Sequence, residues 1–371
     1  MKPLLILATL LLPLISHSGE IPTVESVVAE LAPKISEQKI AADKRWRKPR
    51  KIYVVVPNFY KLQAVENFDT WLGEGLDTEL VFVESPAALR AQESEIEALV
   101  GFCSFLDGDY PQLSWIQNLS AGVEGCVANK QFNNDRVIVA NGAATSGPGI
   151  AEWVIGSMFM MQRNFLDYYR AQQERNWLGY NSGLKPAVEV NKKTILIVGL
   201  GGIGKQIAWR AKGLGMTVLA TRNSSREGPG YVDYVGLADE LLELAARADV
   251  VVNAAPLTDK TRGLFDKAFF NTMPQHGLFI NVGRGGSVQQ AELIEALKSG
   301  AIKAAALDVT DPEPLPAESE LWAMPNVFIS PHNSSFTAET SARRWVFMKE
   351  NLRRLAQGEQ VYNIVDLQRG Y

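Results

Sequence analysis

Apolar and β-branched residues gather in short runs along the chain, with amphipathic stretches between them. The first series covers residues 52–56, 80–83, 100–103, 115–119 and 137–140, with a helically spaced stretch at 87–99. A long helix is predicted over 149–163. A second series covers 194–198, 217–221, 250–254, 278–282, 304–309 and 327–330, with helical segments at 203–214, 238–246 and 291–298. Runs this short and apolar suit buried strands. Strands alternating with helices build βαβ units on a parallel sheet. Two such series predict two α/β domains, one over 52–146 and 333–371 and the other over 147–332. A last helix, near 337–356, follows the second series and returns to the first domain.

The ends of the pattern differ from its middle. In residues 1–18 one lysine precedes a short apolar run, and Ser16 and Ser18 follow it, the pattern of a secretory signal peptide. That run is shorter than the ~20 residues a membrane span needs. The competing readings are a wrongly assigned start or a short buried helix. Residues 19–51 read as a polar, helix-prone lead-in or linker, ending in a basic cluster of Lys44, Arg45, Arg47, Lys48, Arg50 and Lys51. Such a cluster suits a solvated face better than an anionic-lipid dock. Export is therefore the expectation, with a cytoplasmic location if residues 1–18 are not a working signal.

Composition narrows the function classes. The chain has 371 residues, 46% hydrophobic and 21% charged, which excludes a disordered or fibrous protein. A net charge of −4 provides no pull toward nucleic acid. The 2 cysteines, Cys103 and Cys126, argue against a disulfide scaffold or zinc site, and whether they pair is left open. With only 3 histidines, His17, His276 and His332, no metal site is expected and few groups can move protons near neutrality. Of these, His276 reads as a structural turn residue.

The strongest local signal is TILIVGLGGIG at 194–204, where Gly199, Gly201 and Gly204 form G-x-G-x-x-G between a strand and a helix. The first glycine permits a tight turn, the second admits a pyrophosphate, and the third lets helix and strand pack. Helix N-terminal N–H groups, with Gly202 and Ile203 among them, then favour the anion. The next strand ends at Thr221 and runs into Arg222, Asn223 and Ser224, without the acid that binds an NAD ribose. An arginine there suits a 2′-phosphate. NADPH is therefore preferred over NADH, the plainer reading being a solvent-facing arginine.

Several further motifs occur in order: WIQNLSAGVEG (115–125), ANGAATSGPGIAEWVIG (140–156), VGLGGIGK (198–205), NAAPLTDKTRGLF (253–265), INVGRGGSV (280–288), AALDVTDPEPLP (305–316) and NVFISPHNSS (326–335). Together they resemble the D-isomer-specific 2-hydroxyacid dehydrogenases, the family of glyoxylate and hydroxypyruvate reductases, over about residues 52–365. The resemblance implies a Rossmann cofactor domain inserted in a smaller, flavodoxin-like substrate domain, and a homodimer built through the cofactor domain. It implies a catalytic trio of Arg284, Glu313 and His332. It also implies substrate-carboxylate binding at Ser120, Ala121, Gly122 and Val123, with Arg284. Cofactor contacts are implied at Pro256, Val282, Gly283 and Asp308, the last beside the nicotinamide amide.

Chemistry gives each member of the trio a reason. Reduction of a 2-oxo acid develops negative charge on the carbonyl oxygen, so a proton donor must be within reach. His332 is the candidate, held by Glu313. Arg284 would clamp the carboxylate and polarise the carbonyl. The bland alternatives are a loop arginine, a solvated turn glutamate and a structural histidine; shared motif context favours catalysis. Trp322 and Trp345 read as packing residues, and no G-x-S-x-G elbow supports a hydrolase. Reduction of a small 2-oxo acid to its D-2-hydroxy acid is expected. The alternatives are a nucleotide-sensing interaction module and hydride transfer to another small acid. An export-like N-terminus is atypical of the family, because nicotinamide cofactors are supplied in the cytosol.

Overall fold

The computed structural model describes residues 21–370 apart from Gln63, Lys130, Gln131, Asn133, Asn134, Asn181 and Ser224. The signal-like residues 1–18, with His17, and the candidate Ser224 lie outside the described residues.

Two parallel sheets carry the chain. The first contains β1 (Lys51–Val54), β2 (Glu79–Phe82), β3 (Ala98–Gly101), β4 (Trp115–Asn118) and β5 (Ile138–Ala140), in the order β2-β1-β3-β4-β5. The second contains β6 (Thr194–Val198), β7 (Thr217–Thr221), β8 (Tyr234–Gly236), β9 (Val250–Asn253), β10 (Leu278–Asn281), β11 (Ala304–Leu307) and β12 (Val327–Ile329). Its order, β12-β11-β10-β9-β6-β7-β8, reverses direction beside β6, the switch point where doubly wound sheets bind ligands. The expected α/β architecture, a Rossmann sheet beside a smaller flavodoxin-like one, is the architecture found.

The helices are α1 (Val24–Leu31), α2 (Phe68–Gly73), α3 (Pro86–Arg90), α4 (Glu124–Ala128), α5 (Gly147–Gln162), α6 (Phe165–Gln173), α7 (Gly202–Gly213), α8 (Leu241–Ala245), α9 (Lys267–Thr272), α10 (Gln290–Ser299) and α11 (Ala338–Gln357). Burial explains why several strands are continuous apolar runs: β3, β9 and β10 are covered on both faces. α5 adds Ile150, Val154 and Met158 to the core beneath β6 and β9. α11 adds Trp345, Phe347, Met348 and Leu352 to the core of the first sheet.

Some expectations need correction. The helical stretch 87–99 is only α3 and a short 3₁₀ turn before β3 begins at Ala98. Its apolar residues are buried from three pieces of chain, Leu89 from α3, Ile96 from the end of the 3₁₀ turn and Leu99 from β3, rather than from one helix face. Residues 23–50 are not a free linker. α1 buries Val27 and Leu31 in the first domain's core, Ile40 joins them, and the indole of Trp46 donates to the Leu355 carbonyl. The basic cluster does lie largely on the surface, with Arg45 paired to Asp43 and Arg50 to Glu97. Cys103 and Cys126 form a disulfide, their Cα atoms 5.0 Å apart. No helix among the described residues is long and apolar enough to cross a membrane.

Candidate active site

The dinucleotide turn fits its proposed ligand through its glycines. Gly199 leaves β6 at φ +100°, and a Cβ there would lie 2.8 Å from the Ala254 carbonyl. A Cβ on Gly204 would lie 2.1 Å from the Gly199 oxygen, so strand and helix could not close on any other residue. Around Gly201 a Cβ would meet nothing within 4 Å, leaving open space at the start of α7. Among the described residues no side chain caps α7, so its first-turn N–H groups need an outside acceptor. The turn is thus tight where it packs and open where a pyrophosphate would lie.

At the end of β7, Thr221 is buried and Arg222 is half-buried, its Nη1 donating to the Glu227 carbonyl at 2.7 Å. Arg222 has no ion pair among the described residues, and Asn223 beside it is exposed. Arg226, nearby, is already neutralised by Glu240 at 2.7 Å. That guanidinium, the Leu237 N–H and the Tyr234 hydroxyl hold the Glu240 carboxyl down to about 2. Pro256 lies exposed on the loop leaving β9, and Val282 and Gly283 lie buried at the exit of the neighbouring strand β10, both on the same side of the switch point.

Arg284 follows directly. A buried amide network fixes its backbone: Asn253 Nδ2 donates to Asn281 Oδ1 at 2.9 Å and to Ser287 Oγ at 2.8 Å. Asn281 Nδ2 and Ser287 Oγ both donate to the Arg284 carbonyl, at 3.1 and 2.6 Å. From this base the side chain reaches across to the first domain, where its Nε lies 2.8 Å from Glu124 Oε1. Its Nη2 occupies the space above Gly122, 1.8 Å from where a Cβ would stand.

Gly122 belongs to the expected carboxylate loop. Side-chain amides shape that loop through its carbonyls. Asn118 Nδ2 donates to the carbonyls of Ser120 and Gly122, and Asn141 Nδ2 to that of Ala121. Among the described residues, the N–H groups of Ser120, Ala121, Gly122 and Val123 donate no hydrogen bond. The loop therefore presents unpaired donors next to a guanidinium, a setting for an anion.

The His332 imidazole lies with Nδ1 2.8 Å from Glu313 Oε2, while Glu313 Oε1 accepts from the Thr310 N–H at 3.1 Å. His332 itself stands at φ +53°, in the left-handed region. Asp308 holds it there. This 2% exposed carboxylate accepts from Ser330 Oγ, the N–H groups of Asn333 and Ser334, and Ser334 Oγ. Asp308, expected beside the nicotinamide amide, thus directs both oxygens into the turn that carries His332. The two halves of the trio are also joined. A Cβ on Gly285 would lie 1.9 Å from the Thr310 oxygen, so the residue after Arg284 packs against the residue that anchors Glu313.

His276 is elsewhere, paired with Asp249 at 2.9 Å, in keeping with a structural role. Sequence reasoning passed over Glu124, Asn118, Asn141, Asn253, Asn281 and Ser287. The asparagines were visible as polar residues closing apolar strands, a position that needs a partner when buried.

Comparison with known proteins sets this geometry in a family. Residues 155–334 match the D-isomer specific 2-hydroxyacid dehydrogenase, NAD binding domain. The chain is 31% identical to a glyoxylate/hydroxypyruvate reductase A of Salmonella choleraesuis, over 61% of this chain and 70% of the relative. The chain belongs to the D-isomer-specific 2-hydroxyacid dehydrogenases. Among solved structures, it resembles the NADPH-dependent glyoxylate/hydroxypyruvate reductase of Sinorhizobium meliloti, in complex with NADP and sulfate. There the identity is 25% and the TM-score 0.73, over 86% of this chain and 99% of that one. A D-isomer specific 2-hydroxyacid dehydrogenase of Xanthobacter autotrophicus, in complex with NADPH and MES, is 28% identical with a TM-score of 0.71, over 86% and 99%. As a dehydrogenase of this family the protein is an NAD(P)-dependent oxidoreductase.

Proposed function

We propose that this dehydrogenase uses NADPH to reduce a small 2-oxo acid, of the glyoxylate or hydroxypyruvate type, to the D-2-hydroxy acid. The observation that carries the reading is the Glu313–His332 pair, at 2.8 Å, in a domain whose Arg284 reaches over Gly122. The chemistry a reduced nicotinamide supplies is hydride donation to a carbonyl carbon. The protein's own residues do the rest. The N–H groups of Ser120–Val123 and Nη2 of Arg284 bind the substrate carboxylate, and the guanidinium polarises the adjoining carbonyl. Glu313 accepts from His332 Nδ1, which fixes the ring and leaves Nε2 to protonate the developing alkoxide. In the oxidative direction the same nitrogen accepts the proton. Arg222, without a carboxylate partner, is the group that would pair with a 2′-phosphate.

The test is an absorbance assay of the purified protein with NADPH or NADH and each acid. Turnover with NADPH and glyoxylate or hydroxypyruvate supports the reading. Absence of turnover with every 2-oxo acid tried would reject it.

Two further proposals concern assembly and compartment. Several aromatics of the cofactor domain are exposed, with Tyr169 61%, Trp177 94% and Trp209 58% exposed. Beside Trp209 lies an apolar groove of about 830 Å³, lined by Ile155, Phe159, Leu214 and Tyr231. A homodimer through this domain would cover them, and light scattering should give twice the chain mass. Export is proposed from the signal-like residues 1–18 together with the Cys103–Cys126 bond, since disulfides persist in oxidising compartments. A mature protein starting near Gly19 supports it; an intact Met1 rejects it.

A further inference from the structure

We infer that Glu124 is a positioning residue for Arg284, and that it turns the guanidinium so that only Nη2 faces the substrate loop. This deepens the proposed function and rests on it.

Three observations carry the inference. First, two of the three guanidinium nitrogens are already committed. Nε donates to Glu124 Oε1 at 2.8 Å and Nη1 to the Gly283 carbonyl at 2.7 Å. The remaining nitrogen, Nη2, stands over Gly122. A planar fork held at two corners has its third corner fixed in direction. Second, Glu124 and Arg284 come from different domains, so their pair closes the cleft at the point where a carboxylate would bind. Glu124 Oε2 lies 2.6 Å from the Cβ position of Gly122, so both side chains cover the same glycine.

Third, the helix that carries Glu124 is held in place. α4 has only five residues, too few to be stable alone. Cys126 ties it to Cys103 at the exit of β3, and a Cβ on Gly125 would lie 3.3 Å from the Ser104 nitrogen. The carboxylate is thus presented from a stapled support to a guanidinium whose five N–H donors share one positive charge. A carboxylate beside the substrate's own could also act as a competitor for Arg284. The two roles predict opposite signs when Glu124 is removed.

The experiment compares the wild-type protein with Glu124→Ala, Glu124→Gln and Glu124→Asp. KM and kcat are measured for the best 2-oxo acid, and the Kd of oxamate is measured on the NADPH complex by fluorescence. A positioning role gives Glu124→Ala and Glu124→Gln a KM and an oxamate Kd raised about tenfold or more. The Kd for NADPH stays within about twofold, and Glu124→Asp recovers part of the loss. Lower KM and tighter oxamate in Glu124→Ala would make Glu124 a competitor and overturn the inference. So would unchanged constants in an active protein. A wild-type protein that turns over no 2-oxo acid would instead overturn the proposed function. NADPH affinity and the melting temperature identify a variant that merely misfolds; in that case Glu124→Gln, nearly isosteric, decides.

Discussion

His332 Nδ1 and Glu313 Oε2 meet at 2.8 Å, although both side chains remain partly open to solvent, at 46% and 39% exposure. A pair placed this way can move protons to a ligand without being needed for the fold. Glu313→Gln should therefore lower kcat by about 10²-fold, within the range for loss of organised acid–base catalysis. The melting temperature should stay within about 2 °C, since surface pairs contribute about 0–1 kcal/mol. Steady-state kinetics and calorimetry check the two halves.

Gly122→Ala tests the crowding above the carboxylate loop. The new methyl would start 1.8 Å from Arg284 Nη2 and 2.6 Å from Glu124 Oε2, so one or both must move. Expected is a loss of at least about tenfold in kcat/KM, because misplaced catalytic groups forfeit orientation. NADPH affinity, measured separately, should be unchanged.

Arg222→Asp should reverse the cofactor preference. The guanidinium that would pair with the 2′-phosphate is replaced by a charge that repels it and suits a ribose diol. KM for NADPH should rise by about tenfold or more, while KM for NADH rises little or falls. Equal effects on both cofactors would point to a general loss of the loop.

Acid stability should depend on α11. Burial alone pushes the Glu350 carboxyl up, yet the Arg353 and Arg354 guanidiniums outweigh it and hold the group below its ordinary 4.5. A carboxylate depressed in the folded state contributes stability above that value and loses it as pH falls through the folded one. Glu350→Gln should cost about 1–2 kcal/mol at neutral pH. The gap to wild type should narrow below pH 4.5, as urea titrations at several pH values would show.

The Cys103–Cys126 bond closes a loop with a sequence separation of 23. Chain entropy gives such a crosslink about 3 kcal/mol. The double variant Cys103→Ser, Cys126→Ser should lose about that much in denaturant titration. Wild type in a strong thiol reductant should lose the same.

How much of the fold and site is legible in the sequence follows the reach of each signal. G-x-G-x-x-G is local: its three glycines are next to one another in sequence and in space, and Gly199, Gly201 and Gly204 lie where the pattern puts them. The β6 and β9 runs are legible because strands buried on both faces leave a continuous apolar signature. The edge strand β8 left none, with Tyr234 exposed and only Val235 and Gly236 buried. The docking of α1 into the core was hidden for a related reason. Its two buried residues, Val27 and Leu31, lie in an otherwise polar segment, and their partner α11 is some three hundred positions away. The role of Glu124 depends on Arg284 crossing a domain boundary, 160 residues apart in sequence, which periodicity cannot encode. Asp308 was legible as a motif residue, but its four partners come from the Ser330–Ser334 turn, and only the folded chain shows that they use both oxygens.

The most direct measurement is the rate of NADPH oxidation with glyoxylate or hydroxypyruvate by wild type, Arg284→Ala and His332→Ala, each verified as folded and able to bind NADPH. The account predicts turnover in wild type and losses of at least about 10²-fold in both variants. Near-wild-type turnover in either one would contradict it.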